Sequence, residues 1–321
     1  MNLESIKLIP AETDRHFAAI AELMNTQETE PNSAATLREW YDKHLEDGIW
    51  FSVAICEDGE VPGFSGIYLA SLTRERYYHT YLIVGETWRR HGLGSKLYED
   101  LFSKVVSLGA KTLGARVRDT SEAGLRFAEQ RGFSVMKHSI EMQFDLKSWD
   151  ARHYEPIIGE LQEQGFHFTN MAELGDTAEA RRKLFTLNNE AAATDPGSNG
   201  IPPWASFEEF NRDVCESTWY HPDCQILAID SKTGEWAAMS AITVFEGADH
   251  AYNLFTGTDV RYRGRKLAQA VKSLALKSAL NLGVEAVRTS HNSENAAMIA
   301  IDTKLGYIRT PGILVMEKEL G

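Results

Sequence analysis

The sequence repeats itself at a fixed spacing, and that spacing limits what the chain can fold into. Residues 78–109 and 252–283 share an opening Tyr, an arginine-rich turn, an apolar helix-like run and a closing Leu-Gly. Arg89 and Arg263, Gly109 and Gly283, and Gly132 and Gly306 are each 174 residues apart (263 − 89, 283 − 109, 306 − 132). Three landmarks without a gap between them point to two copies of one supersecondary assembly. Upstream the register slips by one, with Asp58-Gly59-Glu60 facing Thr233-Gly234-Glu235. Both are turn signals between strand-like runs, 49–55 and 64–71 in the first half, 225–229 and 237–244 in the second.

Each half therefore reads as strand, helices, hairpin, strand, turn, helix, strand, helix, strand. This order predicts an α/β fold, a mixed sheet with helices on its faces. The 321 residues suit two domains of ordinary size, expected at 1–147 and 148–321. Across the join, 147–165, the spacing of Tyr154, Ile157, Ile158 and Leu161 predicts a short helix. Asn188–Phe207 is rich in Pro, Gly, Asn and Ser and reads as a long loop, either a binding lid or a tolerated insertion.

Composition removes several function classes. A formal net charge of −13 argues against nucleic acid, which needs a basic surface. It slightly favours a cationic small molecule. No apolar run approaches the roughly 18 residues of a membrane helix. The opening MNLESIKLIPAE lacks the apolar core of a signal peptide. Cys56, Cys215 and Cys224 have neither disulfide nor metal-site spacing. The expectation is a cytoplasmic protein, monomer or homodimer, with no metal and no membrane partner.

The chemistry sits in the repeated turn. In the first copy Arg89-Arg90-His91-Gly92-Leu93-Gly94 follows a strand, 78–84, and opens a helix marked by Leu97, Leu101, Val105 and Leu108. The first turn of a helix has N–H groups without partners and a positive dipole end. Gly92 and Gly94 would admit a bulky anion, Arg89 and Arg90 would add charged donors, and Ser95 offers a hydroxyl. Alone, such a turn is equally a simple helix start. Its second copy, Arg263-Gly264-Arg265-Lys266-Leu267-Ala268, favours the phosphate grip.

The pair of turns, each followed by a Gly-Phe or Gly-Tyr step at Gly132-Phe133 and Gly306-Tyr307, resembles the GNAT superfamily of acetyl-CoA-dependent N-acyltransferases. The family signature, Arg/Gln-x-x-Gly-x-Gly/Ala after the fourth strand, is met fully by the first turn. The second departs once, at Lys266. The resemblance covers most of both halves and implies a tandem protein of two GNAT-like domains. It implies that acetyl-CoA lies along the splayed strand edges, Leu82, Ile83 and Val84 in the first half and Thr256, Gly257 and Thr258 in the second, with the pyrophosphate on the turns. Asn295 matches the family's asparagine that contacts coenzyme A, although it suits a helix cap equally; Ser121 stands at the equivalent first-half position. The implied reaction is direct attack of a small-molecule primary amine on the thioester.

The family's usual tyrosine acid falls on Phe127 and Ile301, which carry no proton to give. Its usual base position falls on Tyr78 and Tyr252, and His79 and His291 titrate nearer neutrality. Trp204 is a candidate cover for the acceptor. Asn295 and the loop weight the second half as the catalytic one. A non-catalytic acyl-CoA-binding scaffold and an aminoglycoside-like antibiotic acetyltransferase are the alternatives.

Overall fold

Alternation of apolar side chains, period two in the strands and near 3.6 in the helices, generates two layered units. The computed structural model describes residues 3–28, 30–71, 74–196, 198 and 200–321. In chain order the elements are β1 (Lys7–Pro10), α1 (Thr13–Asn25), α2 (Ala34–Lys43), β2 (Trp50–Ile55), β3 (Gly63–Ser71), β4 (Tyr77–Val84), α3 (Leu93–Ser107), β5 (Thr112–Arg118), α4 (Glu122–Glu129) and β6 (Ser134–Asp145). They continue as α5 (Glu155–Glu163), β7 (Phe166–Asn170), α6 (Ala178–Ala193), α7 (Phe207–Phe210), β8 (Gln225–Asp230), β9 (Trp236–Thr243), β10 (Ala251–Thr258), α8 (Leu267–Asn281), β11 (Ala286–Asn292), α9 (Ala296–Leu305) and β12 (Ile308–Glu319).

The compact units do not follow the expected division at 147/148. The first runs to Met136 and also takes up Ile313–Gly321; the second is Lys137–Gly312. The cause is strand pairing. In unit 1, β1 to β4 pair antiparallel in sequence, β4 and β5 run parallel, and Ile313–Glu319 of β12 pairs antiparallel with Arg118–Thr112 of β5. In unit 2, β7 to β10 pair antiparallel, β10 and β11 run parallel, and Ser139–Asp145 of β6 closes the far edge of β11. Each repeat thus supplies the last strand of the other's sheet. Local patterning identifies such strands but not their partners.

In unit 1 the inner face of α1 (Phe17, Ile20, Met24) packs with Phe51, Val53, Phe64 and Ile83 on one side of the sheet. On the other side Leu101 and Val105 of α3 pack with Leu113, Phe133 and Met316. In unit 2, α8 and α9 cover one side through Val271, Leu276 and Leu305, and α6 covers the other through Leu184 and Leu187. The helix expected near the join is α5, whose Leu161 is buried with Ile157 and Ile158 packed beside it. The loop expected over 188–207 starts later, because Asn188–Ala193 extend α6, as their alanines favour. Gly197 and Asn199 of that loop lie outside the described residues. No helix among the described residues is long and apolar enough to cross a membrane.

Removing Ile313–Gly321 is expected to destabilise unit 1 selectively. Ile313 and Met316 are 4% and 0% exposed, and burying each contributes about 1.5–3 kcal/mol. Calorimetry on the shortened chain should lower the unit 1 transition; an unchanged trace would contradict the pairing.

Candidate functional site

The parallel pair β4–β5 holds register for only four residues, Tyr77 to Thr80 against Thr112 to Ala115. Beyond that the strands diverge, leaving the β5-facing edge of Tyr81–Val84 unpaired there. In unit 2 the same pair, β10–β11, holds only Ala251 and Tyr252 against Val287 and Arg288. A forced gap in a parallel sheet, under a helix N-terminus, is a ready cleft for an extended ligand with an anionic end.

The turn that closes the gap is built alike in both units. Arg89 Nε donates to Val84 O at 2.9 Å, and Arg263 Nε donates to Thr258 O at 3.3 Å. Each turn arginine thus fastens the end of its strand. Two backbone positions in each turn are left-handed, Arg90 (φ 66°) and Gly92 (φ 93°) in unit 1, Gly264 (φ 77°) and Lys266 (φ 66°) in unit 2. Lys266 therefore keeps the left-handed backbone of Gly92, its counterpart in unit 1, and adds a cation there. Gly94 is tight for another reason, since a Cβ there would meet the Phe127 ring at 3.3 Å.

In unit 1 a cavity of about 560 Å³ opens along this gap. Leu82, Ile83, Val84, Arg89, Arg90, Gly92, Gly94 and Ser95, all expected site residues, line it. Among the other lining residues are Glu28, Tyr81, Tyr98, Arg116, Arg118, Phe127 and Arg131. Of these, the sequence singles out only Phe127, at the position of the family's usual acid; Arg131 stands directly before the Gly132-Phe133 step. Arg118 Nε holds the segment after α1 through Gln27 O at 2.8 Å. Burial and Glu28 push the Tyr81 hydroxyl up to about 12.

Of the expected acid–base groups, Tyr252 and His291 are engaged with other side chains, and Tyr78 and His79 are packed in the fold. Tyr78 is half-buried against Leu101 and Val105, on the α3 side of the sheet, and is not in the cavity wall. His79 is 5% exposed, and its Nε2 is buried without a partner. Burial, aided by the nearby Arg116, drives its pKa down to about 3, so it is neutral at pH 7. In unit 2 Tyr252 donates to Ser290 Oγ at 2.9 Å. His291 Nε2 lies 2.5 Å from Asp302 Oδ2, and Lys272 Nζ lies 2.5 Å from Asp302 Oδ1. Lys272 and Asp302 are 1% and 0% exposed on their side chains. The Lys272 contact is an ion pair off hydrogen-bond alignment. Burial pulls the Lys272 pKa down against the pull of Asp302.

Asn295 serves as a helix cap, accepting from Met298 N at 3.2 Å, as Ser121 does from Gly124 N in unit 1. Trp204 is an anchor: its backbone and indole bond to Asn189 and Asn188 of α6, and its ring meets Phe210 edge-on. Thr256 is buried in a network with Ser240 and Asn253. A Cβ on Gly257 would lie 2.7 Å from Ala191 Cβ, so α6 lies directly on that strand. Arg263 also donates to Thr194, and the Arg265 guanidinium lies near the Phe166 and Tyr262 rings. Ala268 occupies the first turn of α8. One group of metal-capable side chains occurs among the described residues, Cys56, Asp58 and Glu60 on the β2–β3 hairpin, where Glu60 accepts from Trp88 Nε1.

Comparison with known proteins agrees with this geometry. Residues 17–133 match the acetyltransferase (GNAT) family. No curated protein sequence matches the chain significantly. A GCN5-related N-acetyltransferase from Sphaerobacter thermophilus is similar in structure, with TM-score 0.74 and 18% identity over 98% of this chain and 96% of that one. A tandem GNAT protein of the clavulanic acid biosynthesis pathway gives TM-score 0.72 and 17% identity over 98% and 99%. A glucosamine N-acetyltransferase region of a fungal β-N-acetylglucosaminidase gives 0.73 and 12% over 97% of this chain and 38% of that one. Residues 17–133 of the first unit thus match the GNAT family, and the chain has the fold of a tandem GNAT protein.

Two stability tests follow. For His79, the unfolded chain takes up a proton below about 6.5, which the folded chain refuses until about pH 3. Its stabilising effect is complete above pH 6.5 and is lost as pH falls through that window, at up to about 1.4 kcal/mol per unit. Urea midpoints at pH 7, 6, 5 and 4 should fall less steeply for His79→Asn than for wild type. Asp302→Ala leaves a buried ammonium unpaired and should cost unit 2 about 3–5 kcal/mol in thermal unfolding.

Proposed function

We propose that unit 1 binds an acyl-CoA and transfers its acyl group, acetyl in the simplest case, to the primary amine of a small molecule. One observation carries this reading. The cavity of unit 1 is lined by five arginines and one carboxylate, in a chain of formal net charge −13. Guanidiniums gathered around one cleft repel one another unless a polyanion enters. A coenzyme A thioester supplies that charge at one end and a neutral, extended arm that suits the free edge of β4.

The second unit is the weaker candidate on the same criterion. At the 174-residue register Gly264, Ser290, Asn292 and Leu305 stand for Arg90, Arg116, Arg118 and Arg131. Only Arg263 retains an arginine. The features that weighted the second half, Asn295 and Trp204, act as a cap and an anchor. The inner wall formed by Tyr98, Val117 and Ala128 in unit 1 corresponds to the buried Lys272, His291 and Asp302 in unit 2.

Residues of unit 1 can serve each step. Arg89, Arg90 and the first turn of α3 hold the diphosphate. Free N–H groups of Tyr81–Val84 polarise the thioester carbonyl. Glu28, the single carboxylate of the wall, accepts the ammonium proton of the acceptor directly or through water. The freed nitrogen attacks the carbonyl carbon, the C–N bond forms, the C–S bond breaks, and the second proton of the nitrogen passes to the leaving sulfur, so that coenzyme A departs as the thiol. Tyr81, which keeps its proton at neutral pH, donates a hydrogen bond to the departing sulfur. The absence of a tyrosine at Phe127 favours a second reading, an acyl-CoA-binding unit without turnover.

Titration calorimetry with acetyl-CoA is expected to give one site per chain. Arg89→Glu should weaken it at least about tenfold, on the scale of one charge-assisted hydrogen bond, while Arg263→Glu leaves it unchanged. The reverse pattern would move the site to unit 2. Release of free thiol with any member of an amine panel would remove the non-catalytic reading.

A further inference from the structure

Arg131 is a cation without a carboxylate partner on the wall of the unit 1 cavity. It follows α4, and its guanidinium carbon lies over the Phe127 ring, 3.4 Å from the centroid, with the Tyr98 ring at 5.0 Å. Its Nη2 donates to Ser95 Oγ at 2.8 Å and its Nη1 to Phe127 O at 3.1 Å. Both acceptors are neutral. Its Nε is buried with no acceptor. Burial pulls its pKa down, and Tyr98 and Glu99 offset this only in part.

The two hydrogen bonds alone would make Arg131 a staple between α4 and α3. A staple does not need a charge, and a partly buried cation whose acceptors are all neutral is costly until an anion arrives. A guanidinium offers five donors in a planar fork; with two used and the Nε–H buried, one on each Nη remains for a ligand. Stacking on Phe127 fixes the fork in place, which lowers the entropy lost on binding. Arg131 reaches the first turn of α3 from a different element, the end of α4. Arg89 and Arg90 precede α3, whereas Arg131 is joined to its first turn at Ser95. A ligand with only a diphosphate would need the turn set alone. A ligand carrying a further phosphate monoester would meet both. In the second repeat Gln269 and Leu305 occupy the positions of Ser95 and Arg131, so the arrangement belongs to unit 1 alone.

We propose that Arg131 binds a phosphate monoester of the thioester ligand, separate from its diphosphate, and makes unit 1 selective for coenzyme A over its dephospho form. The proposal rests on the reading of unit 1 as an acyl-CoA site. Calorimetry with coenzyme A and dephospho-coenzyme A separates the two. Wild type is expected to bind coenzyme A about ten- to a hundredfold more tightly, the range of a hydrogen-bonded charge. Arg131→Ala should weaken coenzyme A by that factor and leave the dephospho form within about twofold. Arg131→Gln keeps much of the side chain's length and an amide donor for Ser95. It should lose the same preference while melting at the wild-type temperature. Equal binding of both ligands by wild type, or equal weakening of both in either folded variant, overturns the role of Arg131 alone. Binding of neither ligand by wild type overturns it together with the acyl-CoA reading.

Discussion

The short parallel pairing between β4 and β5 is the constraint on which the rest depends. Four residues hold register and the strands then part. A parted sheet exposes backbone donors and acceptors that water or a ligand must satisfy. The helix that follows β4 begins at that gap and points its free N–H groups toward it. The cavity, its arginines and the unpaired edge are consequences of one interrupted ladder. A continuous ladder would have buried Tyr81–Val84 in ordinary sheet.

The second unit repeats the backbone and changes the chemistry. Both turns use two left-handed positions, and each unit assigns one to glycine and one to a cation. The fastening of the turn arginine to the preceding strand is also shared. The walls differ. Unit 1 lines its gap with Tyr98, Val117 and Ala128, and unit 2 has Lys272, His291 and Asp302 at the same register, ion-paired and almost wholly buried. Buried ion pairs of this kind add little net stability over apolar packing but make loss of one partner severe. Unit 2 therefore shares the backbone scaffold and has a polar core where unit 1 has a cavity wall.

Much of this was legible in the sequence. The repeat at Arg89 and Arg263 fixed the tandem layout, and the phosphate-type turn marked the residues that line the cavity. What local pattern could not reveal was long-range pairing. β6 and β12 look like the closing strands of their own halves, yet β5 pairs with β12 and β11 with β6. Side-chain partners were equally hidden. Asn295 reads alike as a cofactor contact and as a cap, and only the Met298 N–H distinguishes them. Trp204 reads alike as cover and anchor until Asn188 and Asn189 are seen beneath it. The weight placed on the second half rested on Asn295 and on the long loop that carries Trp204. The arginines on which the proposal for the first unit rests, Arg116, Arg118 and Arg131, follow no motif, and they join Arg89 and Arg90 around one cavity only when β5 and α4 fold onto one gap.

A crystal structure of the intact chain with acetyl-CoA tests the central claim most directly. The thioester is expected between β4 and β5, with its carbonyl beside Tyr81–Val84, its diphosphate at Arg89–Gly94 and the β10–β11 gap free of cofactor. Acetyl-CoA bound only between β10 and β11, with the unit 1 cavity unfilled, would contradict it.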